Sequence, residues 1–265
     1  MAQRWTFEED FIICKFSYEY AHISVLDEDL DFLILELKEH GYDSRSIGAV
    51  KKRVRDYQNL FMGYDVPRVA EQVKSIYKAY LDRKENPKRI EEIQRYINQT
   101  YMPEDANDLW DESGSFAYQL TNMHRYVGIG PVAPSFKEQL LEYIKKSGMT
   151  DAEVYNASFV SRDKFNHIIN GRKGKKVKTD GIGKNVNASP KTVMKLCIGL
   201  KLTYEEAVHL MACAGYAFRP NEEVDMVVVA CLKQRICNIV QVNIELYEHN
   251  LELFDIKDNK KQAAS

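Results

Sequence analysis

The sequence lacks the patterns in which cysteine and histidine usually hold metals. Its five cysteines include no Cys-x-x-Cys pair, and each falls within an apolar helical pattern. The six histidines show no His-Glu-x-x-His motif and no comparable ligand spacing. We therefore expect no zinc or other metal and no cofactor, and we expect the cysteines to pack as small apolar side chains in a reducing compartment.

Long apolar runs are also missing. No stretch approaches the roughly 18 to 20 uncharged apolar residues that a membrane-spanning helix needs. The amino-terminal residues MAQRWTFEED are polar and acidic, whereas a secretory signal is basic and then apolar. We therefore expect a cytoplasmic protein without a membrane partner, and its 265 residues, 45% of them hydrophobic, suffice for two small domains.

Signs of a catalytic centre are scarce. The string Thr179-Asp180-Gly181-Ile182-Gly183-Lys184 resembles a phosphate-binding loop only superficially, because no Ser or Thr follows the lysine and no apolar strand precedes the string. The paired carboxylates Glu8-Glu9 and Glu205-Glu206 stand where helix amino termini favour acidic residues. These features predict that the chain is not an enzyme.

The apolar residues recur at helical spacing through most of the chain, which predicts an all-α fold. Residues 1–62 are predicted to form three short helices. Residues 63–134 are predicted to form a helical hairpin, broken at Asn86-Pro87, followed by an irregular linker. Residues 135–265 are predicted to form five short capped helices and a helical extension. Predicted helix starts are marked by Thr6, Ser44 or Ser46, Thr150, Ser161, Ser189-Pro190 and Thr203.

The charge of the chain is unevenly distributed. Its net charge is −2, yet residues 161–195 alone carry ten Lys and Arg against two Asp, a local charge of +8. The remaining residues must then be strongly acidic. An acidic body with one concentrated basic segment indicates contact with a polyanion at one place.

Five capped helices follow one another in the stretch SFKEQLLEYIKKSGMTDAEVYNASFVSRDKFNHIINGRK, continued by SPKTVMKLCIGLKLTYEEAVHLMACAGYAF. This stretch, about residues 136–218, resembles the phage-repressor-like (Xre-type) helix-turn-helix domain. The resemblance implies that the third helix of the domain enters the major groove of DNA. The residues it places toward base edges are Ser161, Arg162, Lys164 and Asn166. Those it places toward the DNA backbone are His167, Asn170, Arg172 and Lys173.

The loop after this third helix departs from the Xre-type pattern. Its sequence, RKGKKVKTDGIGKNVNA, is longer and more basic than the family requires. The loop is predicted either to add a phosphate-binding arm or to become ordered only on DNA. In both cases its phosphate contacts are Lys173, Lys175, Lys176 and Lys178.

The amino-terminal segment RWTFEEDFIICKF, followed by SRSIGAVKKRVRDYQNLF, resembles a Myb/SANT-like module. The resemblance implies that Trp5 is a core residue and that the third helix contacts DNA through Arg45, Lys51, Lys52 and Arg55. The segment departs from the family because it has one tryptophan and because residues 1–62 sum to −4. SANT-like relatives with acidic surfaces often bind protein, so both kinds of partner stay open for this module.

Together these patterns predict a sequence-specific protein that binds double-stranded DNA, a transcriptional regulator of bacterial or phage type. An alternative is an interaction factor of a phage–host conflict or toxin–antitoxin system, in which the same folds bind a protein partner. A more distant alternative is an accessory subunit of a nuclease. The sequence leaves open whether the chain forms a homodimer and whether a protein partner binds the amino-terminal module or residues 101–134.

Overall fold

The computed structural model describes residues 4–42, 44–101, 134–170 and 188–256. This described part contains twelve helices and no strand, so the fold is all-α as predicted. None of these helices combines the length and the apolar character that crossing a membrane would demand. Most of the predicted linker and most of the basic loop lie outside the described residues.

The chain divides into two compact units, Met1–Pro87 and Lys88–Ser265. This division falls inside the segment that was predicted to be one helical hairpin. The predicted break at Asn86-Pro87 is present, but the helix before it belongs to unit 1 and the helix after it to unit 2. The pattern of apolar residues marked both helices correctly, yet it did not show which core each helix joins.

Unit 1 consists of four helices, namely α1 (Phe7–Glu19), α2 (Asp27–Glu39), α3 (Ile47–Phe61) and α4 (Glu71–Glu85). Helix α1 packs against each of the other three. The core of unit 1 takes side chains from all four helices, including Phe11, Ile12, Leu33, Leu37, Val50, Val54, Tyr57, Val73 and Ile76. The fourth helix thus completes a core that three helices alone would leave open.

Predicted capping residues begin two helices of unit 1. The Thr6 side chain accepts a hydrogen bond from the Glu9 backbone, and the Glu9 carboxylate accepts one from the Thr6 backbone, 2.7 Å away. Of the two serines offered for α3, Ser46 is the cap, because its hydroxyl accepts from the backbone N–H of Ala49. These bonds satisfy amide groups that the first helical turn leaves without partners.

The described part of unit 2 has eight helices: α5 (Pro87–Tyr101), α6 (Phe136–Ser147), α7 (Asp151–Ala157), α8 (Arg162–Asn170), α9 (Pro190–Gly199), α10 (Tyr204–Cys213), α11 (Glu223–Lys233) and α12 (Ile239–Glu248). Thr150 and Thr203 form capping boxes with Glu153 and Glu206 at the starts of α7 and α10. Ser189 caps α9, and Pro190 occupies its first turn, as predicted.

Helix α11 lies at the centre of the unit 2 core. Its residues from Met226 to Leu232 are each at most 1% exposed. Such a helix is apolar on all sides because it is covered on all sides, here in part by α10 and α12. The segment after α12 is also held, since the Asn243 side chain donates to the Phe254 carbonyl and accepts from the Phe254 N–H.

The cysteines occupy the positions predicted for small apolar side chains. Cys14, Cys197 and Cys231 are fully buried, whereas Cys213 and Cys237 are half-buried. Burial raises the thiol pKa of all five, and the reactive thiolate form is therefore disfavoured. Within the described ranges, no group of three or more His, Cys, Asp or Glu side chains is arranged to hold a metal ion.

Candidate nucleic-acid interface

Helices α7 and α8 are joined by a tight turn. The turn begins at Ser158, whose buried hydroxyl donates back to the Val154 carbonyl. Phe159 follows in the left-handed region with a φ of +48°, and Val160 N–H then donates to the Tyr155 carbonyl at 3.0 Å. This reversal ends α7 and starts α8 within four residues.

Helix α9 packs closely against this turn at Gly199. A Cβ atom on Gly199 would lie 2.7 Å from the backbone nitrogen of Ser158, closer than real Cβ contacts allow. The absence of a side chain therefore lets the end of α9 support the end of α7. The turn between α7 and α8 is thus packed directly against the end of α9.

Helix α8 separates its apolar and polar residues sharply. Phe165, Ile168 and Ile169 face the core. The opposite surface brings together, in exposed positions, all the predicted contact residues on this helix: Arg162, Lys164, Asn166, His167 and Asn170. Arg162 and Asn166 are one helical turn apart and project in similar directions. The exposed Ser161 acts as the cap of α8, because its hydroxyl accepts from Lys164 N–H at 3.3 Å.

Acidic residues flank this polar face. Asp151 and Asp163 are exposed in the first turns of α7 and α8. The Glu153 carboxylate accepts hydrogen bonds from the backbone and side chain of Thr150, which lower its pKa and keep it charged. The exposed surface around α8 therefore carries both acidic and basic side chains.

Lys195 has a structural position that the sequence did not reveal. It belongs to the basic segment of the sequence, but in the folded chain it is only 8% exposed. Its Nζ donates to the carbonyl of Phe159 at 2.7 Å and to that of Asp255 at 2.8 Å. The lysine thereby ties the strained residue of the α7–α8 turn to the carboxy-terminal segment. It is a positioning residue for α8 and does not belong to the exposed basic surface.

A cavity of about 530 Å³ opens beside the first turn of α8. Its lining includes Ser161 and Ser189, which cap α8 and α9, and three lysines, Lys164, Lys191 and Lys195. Two carboxylate residues, Glu252 and Asp255, also line it, and Lys191 Nζ lies 2.5 Å from the Glu252 carboxylate. Part of the positive charge of the basic segment is therefore neutralised within the protein.

Arg45, a predicted DNA contact, forms an ion pair within unit 1. Its Nε lies 2.6 Å from the Glu9 carboxylate, and the two side chains are 8% and 1% exposed. Arg53 pairs in the same way with the buried Asp10, at 3.1 Å. Trp5, predicted to be core, is half-buried and lies against both guanidinium groups, whose carbons are 4.3 and 4.8 Å from the ring centre. The position of Arg45 favours a structural role over contact with DNA.

The other predicted contacts of unit 1 lie on the surface of α3. Lys51 pairs with Asp27 of α2 at 2.7 Å, in an exposed ion pair. Lys52 and Arg55 are exposed and three residues apart, so they share one face. The exposed basic residues of α3 are Lys51, Lys52 and Arg55, because Arg53 pairs with the buried Asp10. The remaining predicted contacts, Arg172, Lys173, Lys175, Lys176 and Lys178, lie outside the described residues.

Replacing Lys195 with alanine tests its positioning role. The change removes the charged donor that bonds two backbone carbonyls. Hydrogen bonds to charged groups contribute about 1.5 to 3 kcal/mol to stability. We expect the free energy of unfolding to fall by about that amount in urea titrations followed by circular dichroism. Lys191→Ala is the matched control, since its exposed ion pair should matter little. Equal stability of the two variants would contradict the role given to Lys195.

Comparison of the chain with family models, curated proteins and solved structures gives no match. The resemblances to the Xre-type and Myb/SANT-like domains therefore stay predictions.

Proposed function

We propose that the chain is a sequence-specific protein that binds double-stranded DNA, with α8 as the helix that reads the major groove. The observation that carries the proposal is the division of α8 into a buried apolar face and an exposed face bearing Arg162, Asn166 and their polar neighbours. A short, rigidly supported helix of this kind fits the major groove. The role that follows is that of a transcriptional regulator of bacterial or phage type.

The side chains on α8 have the chemistry that base recognition requires. Arginine can donate two hydrogen bonds to guanine, and asparagine can pair with adenine through its amide. Both residues project from a helix whose orientation is held by the Phe159 turn and by Lys195. Such support limits how far the helix can shift, and small shifts would break bidentate hydrogen bonds.

Phosphate contacts would come from lysines around α8. Lys164 lies in its first turn, and the basic segment supplies Arg172, Lys173, Lys175, Lys176 and Lys178. These contacts hold a protein on DNA but carry no direct sequence information. These basic residues would therefore supply affinity, and Arg162 and Asn166 of α8 would supply specificity.

Binding of the purified chain to random duplex DNA across a salt series tests the proposal directly. Each phosphate neutralised by a lysine or arginine releases counterions, so affinity should fall steeply as salt rises. A pool of duplexes carried through repeated selection should also converge on a preferred site. Absence of binding at low salt, or a selected pool that stays random, would exclude sequence-specific DNA binding.

Replacing Arg162 with alanine separates sequence reading from general attraction. A bidentate contact discriminates between bases by about 1 to 3 kcal/mol, so the variant should lose its preference at one base position. Its affinity for nonspecific DNA should fall only modestly. Lys145→Ala, which removes an exposed charge from α6, is the matched control and should keep the wild-type preference. Identical selected sites for wild type and folded Arg162→Ala would show that α8 does not read bases through Arg162.

A further inference from the structure

Helix α2 directs two large apolar side chains away from the core of unit 1. Its inner face packs toward α1 and α3 through Leu30, Leu33 and Leu37. On the outer face, Phe32 is 73% exposed and Leu35 is 54% exposed. Because these two residues are three apart, their side chains are neighbours on the helix surface. The exposed pair forms an apolar surface larger than either side chain alone.

Carboxylates surround this apolar pair. Four exposed acidic residues each lie one helical turn from Phe32 or Leu35, namely Glu28, Asp31, Glu36 and Glu39. We refer to these four residues together with Phe32 and Leu35 as the α2 face. The exposed Lys38, three residues from Leu35, is the one basic residue of α2, so four carboxylates and one ammonium group lie around the apolar pair. An apolar centre with an acidic rim is therefore the chemical character of this surface.

The negative charge of the α2 face indicates which chemical class of partner can bind its apolar centre. Carboxylates repel the phosphates of nucleic acids and of anionic lipids, so neither DNA nor such a membrane fits. A helix with an apolar stripe flanked by lysine or arginine complements both the centre and the rim. We propose that the α2 face binds a basic amphipathic helix of a partner protein. This interaction is separate from the proposed DNA binding, which uses α8 of the other unit.

The proposal can be tested on the full chain with a synthetic helical peptide that has leucine along one face and lysine along the other. Binding is measured by fluorescence anisotropy of the labelled peptide at several salt concentrations. A second peptide, in which glutamate replaces every lysine, reports how much the interaction depends on charge. We expect the lysine peptide to bind, to weaken as salt rises, and to exceed the glutamate peptide in affinity.

Variants of the α2 face connect this binding to its residues. The double variant Phe32→Ala, Leu35→Ala should bind the lysine peptide at least about 30-fold more weakly, which is the loss typical of one central interface residue. Because both side chains are exposed, the variant should keep the fold, and circular dichroism checks this. Ile47→Ala is the matched control, since Ile47 is 55% exposed on α3 and lies outside the α2 face. The neutral variant Glu28→Gln, Asp31→Asn, Glu36→Gln, Glu39→Gln should bind with less salt dependence.

Three results would overturn the proposal. The first is a wild-type chain that does not bind the lysine peptide. The second is equal binding by wild type and the double variant, which would place the peptide elsewhere. The third is a wild-type dimer, seen by sedimentation, that the double variant converts to a monomer; the α2 face would then belong to a second copy of the chain. DNA binding should be unchanged in the double variant, so failure here is distinguishable from failure of the DNA proposal.

Discussion

Phe165→Ala is expected to unfold the region around α8 and to abolish specific DNA binding. Phe165 is fully buried in the unit 2 core, and its ring centre lies 5.9 Å from that of Tyr155 on α7. Truncating a buried phenylalanine costs about 3 to 5 kcal/mol, because it loses apolar contacts and leaves a cavity. That loss is a large share of the roughly 5 to 15 kcal/mol by which a domain is stable. Urea unfolding followed by circular dichroism measures it.

The contrast with Arg162→Ala makes this experiment informative about function. The two positions are three residues apart on one helix, yet Phe165 faces the core and Arg162 faces outward. We expect Phe165→Ala to lose stability and specific binding together, and Arg162→Ala to keep stability while changing base preference. A Phe165→Ala variant that stays folded and selects the wild-type site would refute the placement of α8 as a helix supported by this core.

The starts of most helices could be predicted because capping is a local effect. Thr6, Thr150, Ser189 and Thr203 each accept a hydrogen bond from the backbone amide three residues later, so both partners are close together in the sequence. The buried residues of α8, Phe165, Ile168 and Ile169, likewise recur at helical spacing. The candidate reading helix is therefore the part of the site that the sequence determines most directly.

Helix ends were harder to predict. The apolar spacing by itself indicates helices from about 222 to 237 and from 240 to 253, but the last two helices end at Lys233 and Glu248. After each end a residue takes a positive φ, Arg235 at +59° and Asn250 at +56°. The next residue then bonds back five positions, as Ile236 does to Cys231, and its apolar side chain returns to the core. The apolar spacing therefore continues past the point where the helix stops.

The fate of individual charges could not be read from the sequence. Lys195 belongs to the basic segment and Arg45 is a predicted DNA contact, but the partners of both side chains lie 36 to 60 residues away in the sequence. Only the folded chain brings Phe159 and Asp255 to one lysine. In contrast, Phe32 and Leu35 could have been noticed, because they fall off the three-to-four spacing of the α2 core residues.

Arg45→Met is expected to destabilise unit 1 by about 3 to 5 kcal/mol at neutral pH, because it leaves the charge of Glu9 buried without its partner. Glu9 is 1% exposed, and Arg45 donates to both of its carboxylate oxygens, at 2.6 and 2.8 Å. The same substitution also removes one of the two guanidinium groups that lie against Trp5. Urea unfolding gives the size of the loss. Lys51→Met is the matched control, and breaking its exposed pair with Asp27 should change stability little.

The pH dependence of this loss identifies Glu9 as its source. In the wild type, burial acts to raise the pKa of Glu9, but hydrogen bonds from Arg45 and Thr6 outweigh it and hold the pKa below its ordinary value. The pairing therefore stabilises unit 1 at pH values above the ordinary pKa of glutamate. This stabilisation is lost as the pH falls through the lowered pKa of Glu9 in the folded protein. Without Arg45, burial should raise the pKa, so the variant gains relative stability as Glu9 takes up a proton. The difference between wild type and Arg45→Met should be largest near neutrality and shrink below about pH 5.

Asp10 changes the stability of unit 1 with pH in the opposite direction to Glu9. Burial, only partly offset by Arg53 and Gln72, raises its pKa to about 6. One of its oxygens, Oδ1, has no hydrogen-bond partner among the described residues, although Arg53 Nε lies 3.1 Å away. The stability that this group contributes is present at low pH and is lost as pH rises through about 6. Wild type and Arg45→Met both contain Asp10, so most of its effect cancels in the difference between their free energies of unfolding. A difference that stays constant from pH 4 to pH 8 would show that the buried charge of Glu9 is not what Arg45 compensates.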